Sequence, residues 1–188
     1  MNQEKRLLSL LEKNKNIKLI LERVNKLEIP NWYLGAGGIT QTVWNALHHF
    51  DLENGIKDYD LVYYDSSNIS YEAEDGFIQK SKELFSDVTI PVEIINEARV
   101  HLWYKKHFGF EIEPYNSVEE AINSWPTTAT SIGINYTDKN FKIYAPFGLD
   151  DLFNLTVRPN KMLITEEIYN NKINRWKKVW PKLKIIPW

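Results

Sequence analysis

The sequence contains no cysteine, which excludes disulfide bonds, thiolate nucleophiles and thiolate zinc sites together. It also has no dominant sign of charge, because 23 lysines and arginines are balanced by 25 aspartates and glutamates, for a formal net charge of −2. A chain with so little net charge has no overall attraction for a nucleic-acid backbone or an anionic membrane. The composition therefore does not indicate nucleic acid as a partner.

Long hydrophobic runs are missing as well. No stretch approaches the roughly 20 apolar residues that a membrane-spanning helix needs, and charges interrupt the leucines of the first eleven residues, unlike a secretory leader. Together with the lack of cysteine, this predicts a protein with no membrane partner that works in the reducing cytoplasm. The oligomeric state is left open.

Apolar residues make up 43% of the 188 residues and aromatic residues 13%, which is enough for one packed domain. We expect a single domain over residues 1–188, with a core at about 28–110 and a C-terminal appendage at about 111–188. Leucine and isoleucine spacings of three and four predict two helices within residues 3–27, broken near 14–16. Ser70, Ser117 and Thr165 are expected to cap later helices.

Residues 32–95 show an informative order of elements: strand, glycine turn, helix, acidic strand, helix, acidic strand. Side chains two apart on a strand point to the same face, so Asp58 and Asp60 should project together. Such a pair repels itself unless a cation, a basic partner or solvent relieves it. Magnesium is the natural hard cation for these oxygens.

Glu93 lies in the second acidic strand and would join the two aspartates if the strands are neighbours. Three carboxylates can hold two magnesium ions about 3.5–4 Å apart, an arrangement that suits phosphoryl or nucleotidyl transfer. A polar position on a half-exposed strand is the alternative interpretation of Glu93.

The glycine turn adds the expected phosphate site. Gly35, Gly37 and Gly38 lack side chains, so backbone amides there can approach phosphate closely, and the following helix directs its positive end toward it. Thr40 adjoins the turn. A purely steric need for glycine between a strand and a helix is the alternative.

Other basic residues are weaker candidates. Lys57, beside the acid pair, would either offset its charge or meet a triphosphate. Arg99, with His101 and Trp103, would grip phosphate while the indole stacks a base, although the alternative, a structural network, is the favoured explanation of that cluster. The basic residues near the end we interpret as a solvated helix face, with RNA contact as the alternative. They are Lys172, Arg175, Lys177, Lys178, Lys182 and Lys184.

Several segments resemble a bacterial nucleotidyltransferase-like family with no established substrate, within the polymerase-β-like nucleotidyltransferase superfamily. They are WYLGAGGI (32–39), QTVWN (41–45), IKDYD (56–60), SYEAED (70–75), ARVHLWY (98–104), APFGLDDL (145–152) and VRPN (157–160). The sequence departs from the superfamily in the longer loop between the glycines and the acid pair, and in the glutamate at the third acidic position.

This resemblance implies an α+β polymerase-β-like fold: a small mixed sheet flanked by helices, with N-terminal helices and a C-terminal α/β appendage. It implies that Gly37 and Gly38 form the phosphate turn and that Asp58, Asp60 and Glu93 are catalytic metal ligands.

The expected activity is the magnesium-dependent transfer of a nucleoside monophosphate from a nucleoside triphosphate to an unidentified hydroxyl acceptor. The alternatives are an inactive nucleotide-binding, regulatory or antitoxin-like interaction module, and a metal-dependent phosphohydrolase.

Overall fold

The computed structural model describes residues 2–188 as an α+β structure. The helices are α1 (Gln3–Leu11), α2 (Lys15–Arg23), α3 (Ala36–His48), α4 (Tyr71–Leu84), α5 (Val100–Phe108), α6 (Val118–Asn123), α7 (Asp150–Phe153) and α8 (Glu166–Val179). The strands are β1 (Tyr33–Gly35), β2 (Tyr59–Tyr63), β3 (Val92–Asn96), β4 (Gly133–Thr137), β5 (Asn140–Tyr144), β6 (Thr156–Val157) and β7 (Lys184–Ile185).

The main sheet has five strands in the order β3-β2-β1-β4-β5. β2 and β3 are parallel, joined by α4, and the other neighbours are antiparallel, so the sheet is mixed, as expected. β4 and β5 come from the part we assigned to an appendage, yet β4 pairs directly with β1. β6 and β7 form a separate two-stranded sheet.

The break between the two N-terminal helices lies at Asn14, where the sequence predicts it. The Asn14 side chain accepts a hydrogen bond from the Ile17 amide at 3.0 Å and so caps α2. Its amide group also donates to Thr42 Oγ1 of α3 at 2.9 Å and to the Tyr59 hydroxyl of β2 at 3.2 Å. Because these groups are buried, the cap also fastens the N-terminal helices to the sheet.

The three predicted helix caps are present. Ser70, Ser117 and Thr165 each accept a hydrogen bond from an amide three residues later, at 3.1–3.3 Å. The Ser117 cap differs in one detail, since Glu120 accepts from the Asn116 amide at 2.7 Å instead of completing the expected box at Ser117. The capping pattern therefore predicts the helix starts correctly.

The principal hydrophobic core extends from Leu7 in α1 to Leu183 near the C-terminus. A cluster of three indoles within it attaches α8 to α3: the Trp44 ring lies 5.4 Å from that of Trp176 and 5.5 Å from that of Trp180. The Trp180 indole also donates to Asn45 Oδ1 at 2.7 Å. This indole cluster, Trp44, Trp176 and Trp180, positions α8 over the face of the sheet that carries the acids.

Residues 2–188 include no helix of the length and hydrophobicity that crossing a membrane would require.

Candidate active site

A cavity of about 330 Å³ lies over the acidic face of the sheet. One side, which we call the strand wall, is formed by β2, the end of β3 and the start of α3. The opposite side, the helix wall, is formed by α8. The strand wall contributes Ala36, Gly37, Gln41, Asp58, Asp60, Val62, Ile95 and Glu97; the helix wall contributes Lys172, Arg175 and Trp176; Trp125, Pro126 and Thr130 complete the lining.

Asp58 and Asp60 both line this cavity, as their alternation on β2 predicts. Neither carboxylate forms an ion pair within residues 2–188. Burial, followed by the negative charges of Asp58 and Glu93, raises the pKa of Asp60 to about 7, and Lys172 acts in the opposite direction. The site therefore concentrates negative charge that a cation would relieve.

Glu93 is placed beside Asp60, because β3 is the parallel neighbour of β2 and its register pairs these two residues. The two acidic strands are thus adjacent, the condition on which its expected role depends. Its side chain is largely exposed and does not line the cavity. Partial burial, and then the charge of Asp58, raise the pKa of Glu93.

Glu97 is a fourth acid that the sequence reasoning missed. It lies just after β3, is 5% exposed and lines the cavity. Burial, followed by the charges of Asp60 and Glu74, raises the pKa of Glu97 to about 8. The alternation of Glu93, Ile95 and Glu97 would have revealed it, but Glu97 itself lies in the 3₁₀ turn after the strand. Asp58, Asp60, Glu93 and Glu97 are called the acidic cluster below.

The acidic cluster supplies the donors that a hard divalent cation prefers, although no set of three or more His, Cys, Asp or Glu within the described chain forms a complete metal site. Asp58 and Asp60 offer oxygens on one face without a basic partner. Magnesium is commonly held by one or two carboxylates together with substrate phosphates and water. The residues present therefore fit magnesium with a nucleotide as co-ligand.

The glycine turn divides into three different environments. A Cβ at Gly35 would lie 2.6 Å from the Trp125 ring, and a Cβ at Gly38 would lie 2.5 Å from the Tyr59 ring. These two glycines therefore permit close packing. Gly37 lines the cavity, and a Cβ there would meet only the end of the Gln41 side chain, at 2.8 Å. Within the turn, Gly37 is thus the glycine whose backbone is available to a ligand.

The residue between these glycines is held in an unusual backbone conformation. Ala36 has a φ of 51°, in the left-handed region that non-glycine residues rarely adopt. Its amide donates to the Ile132 carbonyl at 3.0 Å, so β4 holds the turn in place. Strain of this kind persists where surrounding structure enforces it, and it is concentrated at functional sites.

The other expected phosphate ligands lie in different places. Thr40 is fully buried, and its hydroxyl donates to the Ala129 carbonyl at 2.9 Å. Lys57 lines a smaller recess of about 80 Å³ that shares Asp58 and Arg175 with the main cavity.

Arg99 is buried away from the cavity, ion-paired with Glu74 and donating to the Ile69 carbonyl at 2.8 Å. Glu74 also accepts from the Asn96 amide at 2.8 Å. This arrangement is the structural network that the sequence offered as the alternative explanation of Arg99.

The helix wall corrects our interpretation of the basic C-terminal residues as a solvated face. That interpretation is wrong for Lys172, which is partly buried; Arg175 is exposed as expected, and both residues line the cavity that contains the acids. Burial and the neighbouring Arg175 charge lower the pKa of Lys172, while Asp60 and Asp58 act against that shift. The indole cluster packs α8 in an orientation in which Lys172 and Arg175 line the cavity. The periodicity of the sequence could not show which element α8 packs against.

Two buried polar atoms at the cavity have no hydrogen-bond partner within residues 2–188: Gln41 Oε1 and the Trp176 indole nitrogen. Buried polar groups are nearly always paired in folded proteins. An acceptor and a donor left free at the same cavity therefore indicate a place where a polar ligand or water binds.

The model of a nucleotidyltransferase family matches residues 22–185 of the sequence. The chain belongs to this nucleotidyltransferase family. No curated protein gives a significant match. The family part of the expected resemblance is thereby confirmed.

A solved structure shares the fold of this nucleotidyltransferase. It is an NMR structure described as revealing a CCA-adding enzyme head domain, with a TM-score of 0.80 and 24% sequence identity; the match covers 98% of this chain and 96% of that one. The polymerase-β-like α+β fold expected from the motifs agrees with this match.

Proposed function

We propose that this nucleotidyltransferase transfers a nucleoside monophosphate from a magnesium-bound nucleoside triphosphate to a hydroxyl-bearing acceptor and releases pyrophosphate. One observation carries the proposal: a single cavity brings two aspartates without basic partners, an open glycine turn at a helix start, and two cationic side chains together. The aspartates would bind the magnesium, and the glycine turn and the two cations would bind the phosphates.

The strand wall would bind the reacting end of the donor. Asp58 and Asp60 would hold the metal ions, which when bound neutralise the developing phosphate charge and activate the attacking oxygen. Gly37 and the start of α3 would direct amide groups at the β and γ phosphates. Gly35, Gly38 and Thr40 would support this turn through the close packing and the hydrogen bond described above.

The cations of the helix wall would offset the remaining negative charge of the triphosphate. Lys172 and Arg175 lie across the cavity from the aspartates, so a polyphosphate placed between the walls would contact cations on one side. Lys57 lines the adjoining recess and would contact the outer phosphates. Glu93 would share the metal beside Asp60 and help to remove the acceptor proton.

The first experiment is calorimetric titration of the four nucleoside triphosphates with magnesium. We would compare the wild type with Asp58→Ala/Asp60→Ala, and use Glu72→Ala/Glu83→Ala on the exposed face of α4 as a matched loss of two negative charges. We expect one or more triphosphates to bind the wild type and Glu72→Ala/Glu83→Ala with equal affinity. Binding to the double variant should be lost.

Outcomes separate the competing functions. If no triphosphate binds the wild type, or if the double variant binds equally well, the proposed donor site is wrong. Binding without transfer to any acceptor would favour the inactive nucleotide-binding module. Phosphate transfer to water, detected as acceptor-independent release, would favour the phosphohydrolase.

A further inference from the structure

A second cavity, of about 270 Å³, opens beside the first. We call it the aromatic chamber, because five of its lining residues are aromatic: Trp103, Tyr104, Phe108, Tyr115 and Trp125. It lies between α5, which follows β3, and the first half of α8. Aliphatic side chains, including Ile164 and Ile168, complete much of the remaining wall.

The aromatic chamber is continuous with the catalytic cavity. Asp60, Glu97 and Lys172 line both spaces, as do Ile95, Trp125 and Pro126. A group that enters the chamber therefore reaches the acidic cluster without crossing solvent. Asp60 and Lys172 of the proposed donor site stand at the boundary between the two spaces, whereas Gly37, Asp58 and Arg175 do not line the chamber.

The polar groups deep in the chamber are already engaged within the protein. The Tyr115 hydroxyl is 2.7 Å from Ser124 Oγ, and the Tyr104 hydroxyl donates to the Leu163 carbonyl at 3.4 Å. Among the described lining residues, Lys172 is the one cation, and it stands at the boundary with the first cavity. Away from that boundary, the chamber therefore suits an uncharged, largely apolar and flat group better than a phosphate chain or a sugar.

The order of groups along the two cavities indicates which substrate uses the chamber. Gly37 and Asp58 line the first cavity alone, Asp60 and Glu97 line both, and the aromatic rings other than Trp125 line the chamber alone. Asp60 and Glu97 thus stand at the boundary between the cavity that contains the glycine turn and the chamber. In a phosphoryl transfer the attacking oxygen and the departing phosphates are roughly in line across the reacting phosphorus. A donor with its β and γ phosphates at Gly37 would receive the attack from the chamber side.

We propose that the aromatic chamber binds the acceptor, and that this acceptor is an uncharged aromatic alcohol or phenol whose hydroxyl lies at Asp60 and Glu97. This rests on the proposed donor site. The acceptor oxygen forms a bond to the α-phosphorus, and the bond from that phosphorus to the bridging oxygen breaks. Pyrophosphate leaves with the electron pair of that bond, and the hydroxyl proton passes to a carboxylate of the acidic cluster.

Two variants test the chamber. Ile168→Trp places a larger side chain in the wall formed by α8 and so fills the space. Leu102→Trp is the matched control, because Leu102 is 56% exposed on α5 and does not line the chamber. Phe108→Ala, at the 40% exposed edge of the chamber, widens it and serves as a second chamber variant should Ile168→Trp fail to fold.

Acceptor binding is measured first, without nucleotide, by saturation-transfer NMR with 2-phenylethanol and with glucose as the polar comparison. We expect 2-phenylethanol to receive saturation from the wild type and from Leu102→Trp. Ile168→Trp should reduce the saturation transfer to 2-phenylethanol at least fivefold. Phe108→Ala should change the apparent affinity for 2-phenylethanol at least threefold. Unchanged transfer in both chamber variants, or equal transfer to glucose, would overturn the assignment.

Group transfer is measured next, with magnesium and nucleoside triphosphates labelled at the α-phosphorus. We expect 2-phenylethanol to be labelled at least tenfold faster than glucose by the wild type. Ile168→Trp should abolish the labelling while changing the calorimetric affinity for the triphosphate less than twofold. Faster labelling of glucose contradicts the acceptor class, and loss of triphosphate affinity in Ile168→Trp would assign the chamber to the donor.

The two proposals fail separately. If no triphosphate binds any variant, the proposed function is wrong, and the saturation-transfer comparison still decides whether the chamber binds an aromatic alcohol. If triphosphate binds but the chamber variants leave 2-phenylethanol binding and labelling unchanged, the donor site stands and the acceptor assignment is wrong.

Discussion

The strand wall and the helix wall of the catalytic cavity are positioned by different kinds of interaction. On the strand wall, backbone hydrogen bonds between β1, β2 and β3 set the register of Asp60 against Gly35 and Glu93. On the helix wall, Lys172 and Arg175 depend on side-chain packing of α8, through contacts such as those of Trp44 with Trp180. The acids are therefore placed by local sheet geometry, whereas the cations are placed by a long-range contact.

Because of this difference, we expect substitutions of the acids to affect activity and substitutions of the indoles to affect stability. Like charges that the hydrogen bonds of the sheet hold close together lower the stability of the fold. Neutral substitutions of these acids should therefore preserve stability but reduce activity. The helix wall contains large buried aromatic side chains, whose removal should cost stability first. Neutralising an acid on the strand wall and truncating an indole that supports the helix wall are therefore expected to have opposite signatures.

The largest effect is expected from Asp60→Asn on the strand wall. The amide keeps the shape of the side chain but removes a metal-binding charge, so nucleotidyl transfer should fall by on the order of a thousandfold. The thermal midpoint should stay the same or rise, because the repulsion from Asp58 and Glu93 is relieved. Radiolabel transfer and thermal unfolding, measured on one preparation, check both. Retained activity would show that Asp60 is not a metal ligand.

Trp180→Ala, in the indole cluster that supports the helix wall, should have the opposite effect and mainly reduce stability. Trp180 is 1% exposed, packs on Trp44 and donates to Asn45, so truncation should lower the free energy of unfolding by about 3–5 kcal/mol. Urea denaturation measures this loss. Trp188→Ala, at the partly buried C-terminal residue, is the control and should cost less. Equal losses in the two variants would contradict the special role of the indole cluster.

Glu97→Gln tests the boundary of the strand wall through pH. The folded-state pKa of Glu97, about 8, lies above its ordinary value of 4.5, so the folded protein binds more protons than the unfolded chain between these values. The wild-type free energy of unfolding should therefore fall as pH rises through this window. Glutamine removes that dependence.

We expect Glu97→Gln to match the wild type near pH 4 and to be more stable by on the order of a few kcal/mol at pH 9. Denaturant titrations at several pH values, without divalent cations, provide the measurement. Glu83→Gln on exposed α4 should not reproduce this change. A constant difference across the pH range would argue against the raised pKa.

The smallest effect is expected from Arg175→Ala. Because Arg175 is exposed but lines the cavity, its loss should weaken triphosphate binding by about tenfold and change unfolding free energy by less than about 0.5 kcal/mol. Calorimetry at two salt concentrations measures the charge contribution. Lys178→Ala, on the same helix but outside the cavity, is the control. Equal affinities for the two variants would remove Arg175 from the donor site.

The predictable part of the site is the part that depends on short-range geometry. The period of two on a strand placed Asp58 and Asp60 together, whereas the position of Glu93 depended on the condition that β2 and β3 are neighbours, which the structure meets. Steric signals also anticipated the turn, although only the structure separates Gly37, open to the cavity, from Gly35 and Gly38, which serve packing.

The remaining features depend on contacts that local patterns do not encode. In the sequence alone, Lys172 and Arg175 have the pattern of a solvated helix face, because the packing of α8 on α3 is not visible there. That packing includes the hydrogen bond from Trp180 to Asn45, which joins residues 135 positions apart. Glu97 was missed because its alternation with Glu93 continues past the end of β3 into a 3₁₀ turn. Likewise, the pairing of β4 with β1 brings residues from beyond position 130 into the central sheet.

The late position of α8 has a consequence for synthesis of the protein. A ribosome completes β1, β2 and β3 long before it makes residues 166–179, so the emerging chain carries a concentrated negative surface, with Trp44 lacking both of its indole partners. We therefore expect the cavity to stay incomplete until residues 166–180 have left the exit tunnel. A chain interrupted near residue 160 would present an apolar groove beside uncompensated acids, which is a form suited to recognition by chaperones and proteases.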